Sequence, residues 1–212
     1  FKETKGEYDH LLLTLNPPLT NKNNHSPKRE IIFIQDISGS MSGEPIKQSK
    51  IGLEMAIKRL KPNDKFNIVL FNDRYSSYAQ TPVLATAKER DKAIRYVRRL
   101  SAENGTDMYP ALSFSLNNFR SNKSVLKQLI FLTDGAVTEE TKLFSLINSK
   151  LKTSRLFTIG IGSAPNSFFM TRAAEIGRGS HIHIGDMSEI SVRMEELFNK
   201  IENPAITDLE LI

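Results

Sequence analysis

Short apolar segments alternate with helical patterns along most of the chain, and this alternation restricts its fold more than any other feature. The apolar segments are rich in β-branched residues, as is typical of buried strands. Between them, apolar residues recur with the helical period. Strands that alternate with helices favour a parallel, doubly wound sheet with right-handed crossovers. The predicted strands are Ile31–Gln35, Phe66–Phe71, Ser76–Gln80, Leu129–Leu132, Leu156–Ile161 and His181–Ile184.

We therefore predict an α/β fold with a mostly parallel six-stranded sheet and helices on both faces. Thr86 and Glu89 form a capping-box signature at the start of one helix. Gly177 is predicted to cap another helix at its C-terminus. The predicted helices are Pro45–Leu60, Thr86–Leu100, Met108–Phe119, Glu139–Leu151, Phe168–Ile176 and Ser188–Ile201.

The two ends of the chain do not continue this pattern. Leu11–Leu15 has the character of a strand, and the polar stretch Thr20–Arg29 that follows is typical of a linker. The tail Ile206–Ile212 is also strand-like, with no later segment to pair with. The predicted organisation is a strand and linker from a preceding domain at 1–29, a domain at 30–204 and the start of a following segment at 205–212.

Composition excludes several classes of function. The chain has no cysteine, which rules out disulfides, thiolate metal sites and a cysteine nucleophile. Its 29 basic and 24 acidic residues are interspersed, so the net charge of +5 does not indicate a nucleic-acid partner. No apolar run reaches the roughly 18 residues of a membrane span, so we expect no direct membrane insertion.

Oxygen-bearing side chains follow the predicted strands at the points where they end. Asp36, Ser38 and Ser40 follow the first long strand, Thr106 lies in a later loop, and Asp134 follows the strand at Leu129–Leu132. Strand ends meet at one edge of a doubly wound sheet, so these residues can share one ion. Their oxygens suit Mg²⁺, with Mn²⁺ or Ca²⁺ as alternatives, and the donor set lacks the imidazole or thiolate of zinc sites.

Only two of these five side chains carry charge, which has a consequence for binding. Mg²⁺ takes about six oxygen ligands, so an ion held this way keeps a coordination position that the protein does not fill. An Asp or Glu of a partner protein can fill it. The sequence therefore predicts capture of an acidic protein ligand that depends on a divalent cation.

The Asp-x-Ser-x-Ser pattern that begins at Asp36 resembles the metal-ion-dependent adhesion site of von Willebrand factor A domains. In that family, a Thr in a second loop and the Asp of a Thr-Asp-Gly turn complete the site, and they match Thr106 and Asp134. The resemblance implies that the two serines and the threonine are direct or switchable ligands, and that both aspartates bind directly or through water. It also implies the Rossmann-like fold of the family and a last helix, here Ser188–Ile201, that can shift on ligand binding.

Within that family, the segments 36–43, 61–67 and 131–135 look most like those of inter-alpha-trypsin inhibitor heavy chains and their bacterial relatives. The resemblance covers about Glu30 to Pro204. It implies a non-enzymatic, Mg²⁺-dependent adhesion or interaction module in a larger protein. We expect that protein to lie outside the cell, in the periplasm or at the cell surface.

Two other functions remain open at this stage. A metal-assisted hydrolase or phosphotransferase could use the same cluster, but it would need a general base that the sequence does not offer. An intracellular scaffold that docks on an ATPase is the third alternative. His181 and His183 point the same way along a predicted strand, but no third imidazole is near them in sequence, so we interpret them as ordinary strand residues.

Overall fold

The structure is a computed structural model of the 212-residue chain, and it describes residues 2–5, 8–11, 28–118, 125–135, 137, 139–162 and 166–202. The chain divides into two compact units, and the larger one is Pro27–Asn203. In the smaller unit, β1 (Lys2–Lys5) and β2 (Tyr8–Leu11) form an antiparallel hairpin. The predicted strand beyond Leu11, most of the predicted linker and the tail at 206–212 lie outside the described residues, so the domain boundaries stay a prediction.

The larger unit is built on one mixed sheet, which confirms the predicted α/β class. Its strand order is β5-β4-β3-β7-β8-β9, and the short β6 also pairs with β4. All neighbours are parallel except β5 and β6, which run antiparallel to β4. The strands are β3 (Arg29–Asp36), β4 (Lys65–Phe71), β5 (Tyr75–Ser77), β6 (Val83–Leu84), β7 (Leu126–Thr133), β8 (Arg155–Ile161) and β9 (His181–Ile184).

Helices cover both faces of this sheet. Buried residues of α1, α2 and α6 pack with one face, and buried residues of α3, α4 and α5 pack with the other. Along β3, Ile31 and Phe33 belong to the first core, and Ile32 and Ile34 belong to the second. The helices are α1 (Glu44–Arg59), α2 (Ala87–Arg98), α3 (Tyr109–Asn118), α4 (Glu140–Lys150), α5 (Ser167–Ile176) and α6 (Ile190–Glu202). Among the described residues, no helix is long and apolar enough to cross a membrane.

The connections place a crevice at the carboxyl ends of β3 and β7. From β3 the chain crosses through α1 to β4, which pairs with one edge of β3, and it later returns to β7, which pairs with the opposite edge of β3. The order of the strands therefore reverses between β3 and β7. Open α/β sheets bind their ligands outside the carboxyl ends of strands at such a switch point. The residues that follow these two strands include Ser38 and Asp134.

Two predicted helix boundaries have clear physical causes. Thr86 caps α2, since its hydroxyl accepts a hydrogen bond from the Glu89 N–H at 3.2 Å. Gly177 follows α5 as predicted, but its φ of −76° is not left-handed. A Cβ at Gly177 would lie 2.4 Å from the Cβ of Leu156, so a glycine is needed there for close packing on β8. The left-handed residue is Arg178, with a φ of 52°.

Candidate metal centre

Asp36 is the last residue of β3, and both of its carboxylate oxygens accept hydrogen bonds. Its carboxylate is fully buried, with 0% exposure. Oδ1 accepts a hydrogen bond from the Ser38 N–H at 2.8 Å, and Oδ2 accepts one from the Thr133 hydroxyl at 2.5 Å. Thr133 is the last residue of β7. The carboxylate is therefore held from its own turn and from the neighbouring strand, across the crevice.

The charge of Asp36 is poorly compensated by its surroundings. Burial raises the pKa of this carboxyl above its ordinary value, hydrogen bonds from Ser38 and Thr133 counteract part of the rise, and the nearby charge of Asp134 adds to it. A buried carboxylate whose pKa is raised by desolvation and by a neighbouring negative charge marks a site where a bound cation is stabilised electrostatically.

The hydroxyls of Ser38 and Ser40 extend the set of potential ligand oxygens from the buried Asp36 to the protein surface. Their hydroxyl oxygens are 3.0 Å apart. A short 3-10 turn at Gly39–Met41 brings them together, closed by a hydrogen bond from the Met41 N–H to the Ser38 carbonyl at 3.0 Å. Ser38 is fully buried and Ser40 is exposed. The pair therefore forms one continuous edge of oxygen atoms beside Asp36.

The loop that contains Thr106 is docked against the turn after β3. The Gly39 N–H donates to the Asn104 carbonyl at 2.9 Å, and the Asp107 N–H donates to the Asn72 carbonyl at 2.6 Å. A Cβ at Gly39 would lie 3.1 Å from that Asn104 oxygen, so glycine permits the close approach. Thr106 lies between these two backbone contacts and is partly exposed. The docking brings the second predicted loop to the same edge of the sheet.

Asp134 follows Thr133 directly and starts a tight turn. The Gly135 N–H donates to the Thr133 hydroxyl at 2.9 Å, and the Asn166 N–H donates to the Asp134 carbonyl at 3.3 Å. Gly135 has a φ of 80°, and a Cβ there would lie 2.6 Å from the Asn166 nitrogen. Both observations require glycine at this position. The turn thus fixes Asp134 close enough to Asp36 for its charge to influence the Asp36 pKa.

Three residues that position the candidate site, Thr133, Gln35 and Ser49, are absent from the set predicted from the sequence. Thr133 donates to Asp36 and accepts from Gly135, so it orients both acidic turns. Gln35 donates to the Asp36 carbonyl at 2.6 Å and accepts from the Ser49 hydroxyl of α1 at 2.5 Å. Polar residues inside otherwise apolar strands and helix faces were the available signal, because buried polar side chains need partners.

The donor set fits a hard divalent cation. The five predicted residues supply two carboxylates and three hydroxyls, which are the ligands Mg²⁺ accepts. In the described part of the chain, no cluster of three or more His, Cys, Asp or Glu residues could hold a metal ion. His183 donates from Nε2 to the Gly162 carbonyl at 2.7 Å, and Nδ1 of His181 lies 3.1 Å from the Thr158 hydroxyl. Metal binding by Asp36, Ser38, Ser40, Thr106 and Asp134 stays a prediction.

Residues 29–181 match the family described as von Willebrand factor type A domain. A von Willebrand factor A domain-containing protein of Dictyostelium discoideum is 30% identical over 185 residues, which is 87% of this chain and 20% of that protein. Inter-alpha-trypsin inhibitor heavy chain 4 of Mus musculus is 28% identical over 217 residues, covering 97% of this chain and 22% of that protein. The solved structure of a von Willebrand factor type A protein from Catenulispora acidiphila has a TM-score of 0.72 and 25% identity, with 80% of this chain and 42% of that one covered.

The similarity to inter-alpha-trypsin inhibitor heavy chains confirms the resemblance drawn from the sequence segments. Heavy chain H1 of Mesocricetus auratus is 30% identical over 202 residues, covering 90% of this chain and 22% of that protein. The chain spans about a fifth of the length of the curated relatives it matches. What is shared is therefore one domain of much longer proteins.

Proposed function

The chain belongs to the von Willebrand factor type A domain family, and on that premise we propose that it is a Mg²⁺-dependent module that captures an acidic residue of a partner protein. Domains of this family generally mediate protein–protein interaction. The observation that carries the proposal is the buried Asp36 carboxylate at the switch point, joined to Ser38 and, across the crevice, to Thr133. These contacts preorganise an oxygen-rich crevice that opens at Ser40.

Each residue of the crevice has a distinct task in this proposal. Ser38, Ser40 and Thr106 supply neutral oxygens to the ion, and Asp36 and Asp134 supply the negative charge. Because Asp36 is fixed by two hydrogen bonds, it cannot turn away when the ion is absent. The bound ion supplies a Lewis-acidic position that accepts an Asp or Glu carboxylate from the partner. The exposed position of Ser40 leaves that side of the site accessible to a protein surface.

Catalysis is not part of this proposal. A nucleophilic serine needs a base within hydrogen-bonding distance, and the hydroxyl of Ser38 instead contacts that of Ser40. Among the described residues, His181 and His183 are engaged with strand β8 and its exit, at Thr158 and Gly162. The proposal also keeps the expected location outside the cell or at its surface, as part of a longer protein.

Calorimetric titration of the purified chain with Mg²⁺ and with Mn²⁺ tests the metal site. We expect saturable binding at one site, and we expect Ser40→Ala to weaken it by about tenfold or more, since a ligand is lost. Ser42→Ala is the matched control, because Ser42 is also exposed and lies two residues away. Equal affinity in the Ser40→Ala and Ser42→Ala variants, or no binding by the wild type, contradicts the proposed site.

A second experiment addresses the partner and the reaction class. Immobilised peptides with a single Asp or Glu should retain the chain in Mg²⁺ and release it in a chelator, while Asn and Gln versions of the same peptides should not retain it. Retention that is unchanged by the chelator contradicts capture through the ion. Turnover of a phosphoester panel that disappears in Asp134→Ala would favour the hydrolase alternative.

A further inference from the structure

One loop at the carboxyl edge of the sheet contains a chemically labile dipeptide. Asn104 is the only asparagine in the sequence that is followed directly by a glycine, Gly105. The side-chain carbonyl carbon of an asparagine is an electrophile within reach of the backbone nitrogen of the next residue. A glycine in that position has no Cβ to obstruct the approach of its nitrogen. The sequence therefore places one reactive pair in the loop that also presents Thr106.

The structure leaves both reacting groups accessible. Asn104 and Gly105 are exposed, and Asn104 has a φ of 69°. Within the described part of the chain, no hydrogen bond engages the Asn104 side-chain amide or the Gly105 N–H. The backbone carbonyl of Asn104, by contrast, accepts a hydrogen bond from the Gly39 N–H at 2.9 Å. The amide can therefore rotate toward the Gly105 nitrogen while the loop stays docked.

Asn72, in an adjoining loop, shows the opposite arrangement. Its side-chain oxygen accepts from the Arg74 N–H at 3.0 Å, and its amide nitrogen lies 3.4 Å from the Glu103 carbonyl. It is followed by Asp73, whose side chain obstructs attack by its own nitrogen. The chain thus carries an internal reference with the same functional group in a restrained setting.

We propose that Asn104 is a site of spontaneous deamidation, with water as the co-reactant. The Gly105 nitrogen forms a bond to Cγ of Asn104, the bond from Cγ to the side-chain nitrogen breaks, and that nitrogen leaves as ammonia with the proton from Gly105. Water then opens the cyclic imide at either carbonyl. One opening gives aspartate, and the other gives isoaspartate, in which the main chain runs through the former side chain. No oxidation or reduction occurs.

The isoaspartate product changes the loop more than the aspartate product does. It lengthens the backbone by one carbon atom and turns the former Asn104 carbonyl into part of a free carboxylate. That carbonyl is the acceptor for Gly39, and the next anchor of the loop is the bond from Asp107 to Asn72. Thr106 lies between the two anchors, so the extra atom displaces it. The effect of this displacement on metal binding rests on the proposed function, whereas the deamidation does not.

Peptide mapping of the purified chain after prolonged incubation at mildly alkaline pH tests the modification. We expect the Asn104 peptide to gain the mass that replaces NH₂ by OH and to become a substrate for isoaspartyl methyltransferase, while the Asn72 peptide stays unchanged. Gly105→Ala should slow the reaction at Asn104. A Cβ at residue 105 would lie 3.7 Å from the Asp73 Cβ, an ordinary contact, so this variant should fold. Equal rates at Asn104 and Asn72, or no slowing in Gly105→Ala, would overturn the proposal.

Titration of fresh and aged protein with Mg²⁺ measures the consequence for the loop. We expect the isoaspartate fraction to bind about tenfold more weakly, as when an outer contact of a metal site is lost. Aged Gly105→Ala should keep the affinity of fresh Gly105→Ala. Deamidation with unchanged affinity would overturn the displacement of Thr106. No Mg²⁺ binding by the fresh wild type would instead contradict the proposed function, and the mass data would still decide the deamidation.

Discussion

Asp36→Asn replaces the buried carboxylate of the candidate metal centre by a neutral side chain of nearly the same shape. In the wild type, burial outweighs the hydrogen bonds from Ser38 and Thr133, so the pKa of Asp36 is raised. The folded state therefore favours the uncharged form relative to the unfolded chain. We expect the variant without metal to be at least as stable as the wild type at neutral pH.

Metal binding should reverse the order of the two proteins. Mg²⁺ at about 100 times its Kd stabilises a folded protein by about 2.7 kcal/mol. For a chain of this size, about 2 to 4 °C per kcal/mol gives a rise in Tm of about 5 to 11 °C. The wild type should show this rise and Asp36→Asn should not, because the variant has lost a charged ligand at the site.

Thermal unfolding with saturating Mg²⁺ and with a chelator measures both effects in one series. Asp91→Asn is the control, because it removes the same charge from an exposed residue of α2 that is not part of the candidate metal centre. The control should keep the full Mg²⁺-dependent rise. An equal rise in Asp36→Asn would refute the role of Asp36 at the ion. A large loss of stability in the chelator would refute the claim that its charge is poorly compensated.

Three further predictions concern the same framework. Thr133→Val removes the donor to Asp36 and the acceptor for Gly135, so it should lower the free energy of unfolding by about 3 kcal/mol in urea titrations. Thr133→Ser should keep most of the wild-type stability, and an unchanged urea midpoint in Thr133→Val would contradict this role of the hydroxyl. Asp64→Ala leaves the buried guanidinium of Arg29 without its carboxylate partner, which lies 2.5 Å away. The free energy of unfolding should fall by about 3 to 5 kcal/mol in the same titrations, and a smaller loss would refute a structural role for the pair. Without metal, the free energy of unfolding should fall as the pH rises from the ordinary aspartate range through the raised pKa of Asp36. Mg²⁺ should remove that fall because it binds the ionised carboxylate. Tm measured against pH with and without Mg²⁺ tests this, and two parallel curves would contradict it.

The fold was predictable from the sequence where a segment is long enough to show its period. The buried strands β3, β4, β7 and β8 contain the apolar runs that predicted them, and their parallel pairing follows from the helices between them. β6 was missed, since Val83 and Leu84 alone show no period. Its strand character comes from pairing with Lys65 and Phe66 of β4, a tertiary contact that no local pattern reports.

The sequence predicts five residues for the candidate site, but it does not reveal the residues that hold them in place. Asp36, Ser38 and Ser40 lie within five residues of one another, so a single turn suffices to bring them together. Thr133 is different: it contacts Asp36 only because β3 and β7 are neighbours and end at the same level. Sequence separation of 97 residues hides such a contact. Gly177 shows the same limit, because its role depends on its distance to Leu156.

Anomalous diffraction from crystals soaked in Mn²⁺ tests the central claim most directly, since it locates the ion without reference to affinity or partner. We predict one strong anomalous peak at the carboxyl ends of β3 and β7, within coordination distance of the Ser38 and Ser40 hydroxyls and close to Thr106, Asp36 and Asp134. A peak elsewhere on the chain, or none at this crevice with the ion in excess, would contradict the assignment of these five residues to a metal centre.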